Sequence, residues 1–215
     1  MKGKFVVFEG IDGSGTSTQS ELLHKYLSKN GKKTHLTCEP SNGPIGDLIR
    51  QIFKGRVNMP KGKNPIIATA DLFDEQMAYL FAADRHDHLF NKIDGVFNLI
   101  NKGYTVISTR YFFSSYAYHC TNETDIQFVK TLNERFPNPD LVVYLDNPAS
   151  VSVSRIDERV FKDEYENSKK LIKAKENYDS FFKTYNGNLL TLNATDKVEQ
   201  IHKKIIERME QIVEN

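Results

Sequence analysis

The chain has no tryptophan, only two cysteines and almost no net charge, and each shortage removes a class of protein. Cys38 and Cys120 are too few for a disulfide framework and lack the spacing of a metal site, so a reducing compartment is expected. The 29 Lys and Arg against 28 Asp and Glu leave a formal charge of +1, so no global field draws the protein to nucleic acid or a membrane surface. Any bound phosphate must be held by local arrangement. No apolar stretch approaches the roughly 18 residues of a membrane span. The run Met1-Lys2-Gly3-Lys4 leads into a strand-like segment without the apolar core of a signal peptide. Internal repeats and low-complexity segments are also missing. The expectation is a soluble, cytoplasmic protein whose 215 residues form a single domain.

What is present is an alternation of short β-branched or aromatic runs with longer helical patterns, which predicts an α/β fold with a parallel sheet and crossover helices. The strand candidates are Phe5 to Phe8, Thr34 to Thr37, Tyr104 to Ser108, Leu141 to Leu145 and Leu189 to Leu192. The first, third and fourth are apolar on both parities, as strands covered on both faces should be. Ile45, Leu48, Ile49, Ile52 and Phe53 form a helical stripe after Pro44, which suits a helix start. Leu72, Gln76, Met77, Leu80 and Phe81 make a second stripe, broken by one polar residue, and Val198, Ile201, Ile205, Met209 and Ile212 a third. Asn30-Gly31 and Lys102-Gly103 read as helix ends. Lys54 to Pro65 and the charge-dense Asp157 to Ser168 read as surface connections or lids.

The first strand candidate runs into Glu9-Gly10-Ile11-Asp12-Gly13-Ser14-Gly15-Thr16-Ser17-Thr18-Gln19, with a helix to follow. Strand, glycine-rich turn and helix N-terminus are the context of a phosphate cradle. Glycines let the backbone approach phosphate oxygens, and free N–H groups with the helix dipole hold negative charge. Gly10, Gly13, Ser14, Gly15, Thr16, Ser17 and Thr18 are therefore the candidate phosphate ligands, and Ser17 stands where a hydroxyl would ligate Mg²⁺. The pattern Gly-x4-Gly-Lys-Ser/Thr is broken, because position 16 is Thr. A charged hydrogen bond is worth about 1.5–3 kcal/mol, so something else must supply the cation or catalysis is weak.

Two further constellations point to a ligand. Phe81 and Arg85 are four apart, so they share a helix face and can meet one flat ligand, ring on ring and guanidinium on carbonyl. After the third strand candidate come Thr109-Arg110-Tyr111-Phe112-Phe113-Ser114-Ser115-Tyr116-Ala117-Tyr118, at the carboxyl end where such sheets bind ligands. Arg110 suits a monophosphate, and the hydroxyls of Ser114, Ser115 and Tyr118 suit a base edge or a sugar.

In this order and spacing, Phe8 to Gln19, Glu39-Pro40, Phe81 to Arg85 and Arg110 to Tyr118 resemble the thymidylate kinases, nucleoside-monophosphate kinases of P-loop fold. Pro139 to Asp146 is similar to the family's fourth strand, and Lys162 to Glu166 with Glu176-Asn177-Tyr178 to its lid and following helix. The resemblance implies a three-layer fold, a five-stranded parallel sheet with helices on both faces and a short lid over about residues 155–168. It implies transfer of phosphate from ATP, with Mg²⁺, to thymidine monophosphate, commonly in a homodimer. By position, Asp12 would hold the sugar 3′-hydroxyl, with Glu39 and Pro40 beside the acceptor. Phe81 would stack on thymine, Arg85 would bond its carbonyl, and Ser114 and Ser115 would face the rest of the base. Tyr118 would crowd the 2′ position, and Arg110 would clamp the acceptor phosphate. Arg155 and Arg159 would close over the donor, and Ala194-Thr195-Asp196 would pack the adenine. Ser17, with Glu39, Asp12 or Asp146 through water, would hold the metal.

The chain departs from the family at four places. Thr16 replaces the loop lysine, Thr109 the aspartate before Arg110, Cys38 an arginine and His119 a glutamine. The first two remove one charge of each sign from the phosphates' surroundings, which suggests a coupled exchange. An active kinase whose missing cation comes from Arg155 or Arg159 is the expectation. A deoxynucleotide-binding relative without transfer, and a kinase of another monophosphate, are the alternatives.

Overall fold

The computed structural model describes residues 3–67, 70–157 and 168–214. Five parallel strands form one sheet in the order β2-β3-β1-β4-β5, built from β1 (Phe5–Glu9), β2 (Thr34–Cys38), β3 (Thr105–Thr109), β4 (Leu141–Asp146) and β5 (Leu189–Asn193). The three strands that are apolar on both parities are the three central ones, and β1 is buried throughout. The edge strand β2 is half-buried along its whole length.

Helices cover both faces. On one, α1 (Thr16–Lys29) and α9 (Val198–Glu214) enclose Val6, Phe8, Leu23, Ile107, Val143 and Ile205. On the other, α4 (Val96–Asn101), α5 (Phe112–His119) and α8 (Ser168–Thr184) pack Tyr111, Phe113, Tyr144 and Tyr178 against Val7 and Val106. A smaller cluster joins α2 (Pro44–Phe53) to α3 (Leu72–Phe90) through Ile49, Ile52, Phe73 and Met77. Pro44 opens α2 as expected, and Asp71 caps α3 by accepting from the amides of Phe73 and Asp74. Helices α6 (Glu123–Asn133) and α7 (Ala149–Asp157) complete the described elements. Of the expected lid, residues 158–167 lie outside the described residues.

The topology puts the ends of β1 and β3 side by side at the carboxyl edge of the sheet, with β4 on the far side of β1. The loop after β1, the segment after β3 and α7 after β4 therefore converge on one place.

Candidate active site

The loop after β1 is shaped by its backbone. Gly10 has φ 153°, and a Cβ there would lie 2.5 Å from Ser14 Oγ and 2.7 Å from the Leu145 carbonyl, so only glycine fits. Gly15, at φ 95°, stands immediately before α1. That helix has no side-chain cap and no acid in its first turn, which leaves its leading N–H groups and dipole open to an anion. They face a cavity of about 480 Å³ lined by residues 12–19 with Thr109, Arg110, Arg155, Ala194, Asp196, Val198 and Ile201. Thr16 and Thr109, the two exchanged positions, thus line the same space. Arg155 of α7 reaches it too, its Nη1 donating to the Gly13 carbonyl at 2.9 Å. Ser17 and Thr18 are exposed there. Arg159 lies outside the described residues.

A second cavity, of about 120 Å³, lies between α2, α3 and α5 and is lined by Phe53, Phe81, Arg85, Ser115 and His119 among others. It is organised by side chains. Arg85 is 1% exposed, and its Nε and Nη2 meet Glu39 Oε2 at 2.9 and 2.8 Å. Its remaining donors go to Asn133 Oδ1 at 2.5 Å and Ser115 Oγ at 3.3 Å. The other oxygen of Glu39 lies 3.3 Å from His88 Nδ1. Asp84 is fully buried and accepts from both the amide and hydroxyl of Ser41, which pins the Glu39-Pro40 segment to α3. Burial raises the Asp84 carboxyl above its usual range, against the two Ser41 hydrogen bonds. His119 is held neutral, its pKa lowered to about 3 by burial and then by the charges of Arg85 and Lys170. Its ring lies 5.4 Å from that of Phe81.

The two cavities share Asp12 and Arg110. Arg110 adopts φ 73°, in the left-handed region that a side chain seldom enters. Its Nη1 donates to the Gly10 carbonyl and to Tyr178 OH at 3.0 Å, and its Nη2 to Asp12 Oδ1 at 2.6 Å. Asp12 also accepts from Tyr118 OH at 2.8 Å. Behind Arg110 lies Glu9, completely buried, which accepts from the Tyr111 amide, Ser114 and Tyr178. Burial pushes its carboxyl up to about 7, with Arg110 and the hydrogen bonds pulling the other way.

The structure brings the expected residues into two groups. Gly10 and Gly13 to Thr18 form the loop, with Arg155 beside it. Asp12, Glu39, Pro40, Phe81, Arg85, Arg110, Ser114, Ser115 and Tyr118 line the second cavity. Glu39 borders that cavity with both oxygens engaged and does not line the loop's cavity, and Asp146 is paired with Lys175 at 3.1 Å. Glu9, Asp84, Asn133 and Tyr178 build the site without standing among the residues expected from the sequence. A buried polar residue inside an apolar run, as Glu9 is, was the one available signal.

Comparison with known proteins agrees with this geometry. A family model described as thymidylate kinase matches residues 8–205. A probable thymidylate kinase of Thermococcus gammatolerans is 39% identical over 210 residues, covering 97% of each chain. One of Methanococcus aeolicus is 37% identical over 211 residues, covering 96% of this chain and 95% of its own. One of Pyrobaculum aerophilum is 34% identical over 210 residues, covering 97% of each. A match from the loop to the last helix, on a parallel sheet carrying that loop at its carboxyl edge, shows that the chain belongs to the thymidylate kinase family.

Proposed function

We propose that the protein transfers the terminal phosphoryl group of ATP to thymidine monophosphate, giving thymidine diphosphate and ADP. The observation that carries this reading is the meeting of the two cavities at Asp12 and Arg110, so that a donor and an acceptor phosphate can share one guanidinium. The donor's outer phosphates lie on the open amides of α1, and adenine packs against Ala194 and Asp196. Thymine enters beside Phe81, with Arg85 and Ser115 at its edge, Asp12 at the sugar hydroxyl and Tyr118 crowding the 2′ position. Arg110 holds the acceptor phosphate, one of whose oxygens attacks the terminal phosphorus while the bond to ADP breaks. Holding both reactants in line and stabilising the charge that moves between them supply almost all of the acceleration in such transfers.

Arg155 supplies the cation that Thr16 lacks, because its guanidinium already rests on the loop. Among the described residues no group of three His, Cys, Asp or Glu is arranged as a metal site. The exposed Ser17 hydroxyl instead fits Mg²⁺ arriving on the nucleotide, whose chemistry is to neutralise charge on the donor phosphates. The test is ATP-dependent phosphorylation of thymidine monophosphate by the pure protein. Turnover that exceeds that on uridine and deoxycytidine monophosphates is expected; none with either Mg²⁺ or Mn²⁺ would defeat the proposal.

A further inference from the structure

Helix α8 follows the expected lid segment and reaches the junction of the two cavities through the hydroxyl of Tyr178. The ring is 1% exposed and packs on Tyr144, Phe182 and Tyr118, with centroids 5.4, 5.8 and 6.4 Å away. The hydroxyl makes three contacts: Arg110 Nη1 at 3.0 Å, Ser114 Oγ at 2.8 Å and Glu9 Oε2 at 2.6 Å. Ser114 Oγ is itself 2.8 Å from the same carboxylate oxygen. Three oxygens therefore form a closed triangle, with a guanidinium donating into one corner.

Proton counting shows what such a triangle does. The two hydroxyls carry one proton each, so with Glu9 ionised one of the three short edges has no hydrogen. A proton on Glu9 fills it, and the ring then runs in one sense, from carboxyl to hydroxyl to hydroxyl and back. Burial favours that extra proton, while the positive charge of Arg110 opposes it. Asp12 bonds the same guanidinium from the loop and the Tyr118 ring of α5 lies 5.5 Å from it, Tyr144 faces Glu9 from β4, and the Tyr111 amide donates to its other oxygen. An incoming phosphate dianion would offset the charge on Arg110, and so remove the main force keeping Glu9 ionised.

We propose that Tyr178 is a positioning residue that aims Arg110 at the acceptor's phosphate, and that Glu9 behind it takes up a proton from solvent when that phosphate binds. This rests on the acceptor assignment above. Nothing in the loop's own sequence demands it, since the contact spans 169 residues from Glu9 to Tyr178.

Calorimetric titrations of thymidine monophosphate and of thymidine, which lacks the phosphate, test it without turnover. In Tyr178→Phe the ring contacts remain, so the fold should hold. Its affinity for the monophosphate should fall about tenfold, the scale of one charge-assisted hydrogen bond, while that for thymidine stays unchanged. Repeating the wild-type titration near pH 7 in buffers of different ionisation enthalpy should reveal proton uptake that is lost in Glu9→Gln. Equal weakening of both ligands, or unaltered monophosphate binding in Tyr178→Phe, would overturn the positioning role. Identical proton exchange in wild type and Glu9→Gln would overturn the proton step. Wild-type protein that bound neither ligand would instead sink the acceptor assignment itself.

Discussion

The two cavities that meet at Arg110 are built on opposite principles. The phosphate loop is made by main chain: glycines at φ 153°, 82° and 95°, and a helix start whose amides face open space. The second cavity, the one proposed for the acceptor, is made by side chains that hold one another, with Arg85, Glu39, His88, Asp84 and Ser41 all buried and interlinked. The first kind of site tolerates change at its non-glycine positions, because the N–H groups that bind belong to every residue type except proline. The second does not, because each charge is stable only while its partner is present. The four departures that the family resemblance implies follow this division only in part: Thr16 and Thr109 line the loop's cavity, whereas His119 lines the second cavity and Cys38 precedes its Glu39. By that resemblance Thr16 and Thr109 stand where the family has lysine and aspartate, while Phe81, Arg85, Arg110 and Tyr118 match it.

Four measurements sharpen or break this contrast. The largest effect is expected from Glu39→Ala, which strands Arg85 as an unpaired buried charge. It should cost about 3–5 kcal/mol of stability, a fall in melting temperature of roughly 6–20 °C for a chain of this size. A loss below about 1 kcal/mol would show that the acceptor cavity is not interlocked as described. Next is Arg155→Ala, expected to lower kcat about ten- to hundredfold, the range of a lost charged hydrogen bond. Acceptor binding and melting temperature should barely change. A kcat within twofold of wild type would remove Arg155 as the loop's cation.

The third concerns His119, whose neutral state is enforced by burial beside Arg85 and Lys170. Its pKa falls on folding from 6.5 to about 3, so the unfolded chain binds the extra proton within that window. Stability should therefore decrease as pH drops from 6.5 toward 3, by up to about 1.4 kcal/mol per pH unit. Denaturant unfolding of wild type and His119→Gln at pH 7 and pH 5 checks this. The variant should lose about 2 kcal/mol less over that interval, and parallel losses would refute it. The smallest effect is expected from Thr16→Lys combined with Thr109→Asp. If Arg155 has taken over the loop's charge, kcat should change only a fewfold; a large gain would show that the present loop is catalytically impaired.

Much of the fold was legible because it rests on short-range patterns. Strand candidates such as Leu141 to Leu145 fell within a residue of the observed β4, since a doubly covered strand must be apolar on both parities. Pro44 marked the start of α2 and Asn30-Gly31 the end of α1. The loop glycines were legible for the same reason, because their neighbours set the required φ. The acceptor cavity was legible only in part. Asp84 and Arg85 are adjacent yet take different partners, Ser41 and Glu39, which lie 43 and 46 residues away. No local pattern states such pairings.

The sequence by itself determined the strands, the glycine-built anion cradle and the residues offered to a ligand, because these depend on near neighbours and on backbone freedom. Only the tertiary structure decided which charges cancel. Parallel pairing of β1 between β3 and β4, with α8 packed on α5, brings Glu9, Arg110 and Tyr178 from three distant segments into one buried cluster. In that low-dielectric setting each group's charge and aim depend on the others.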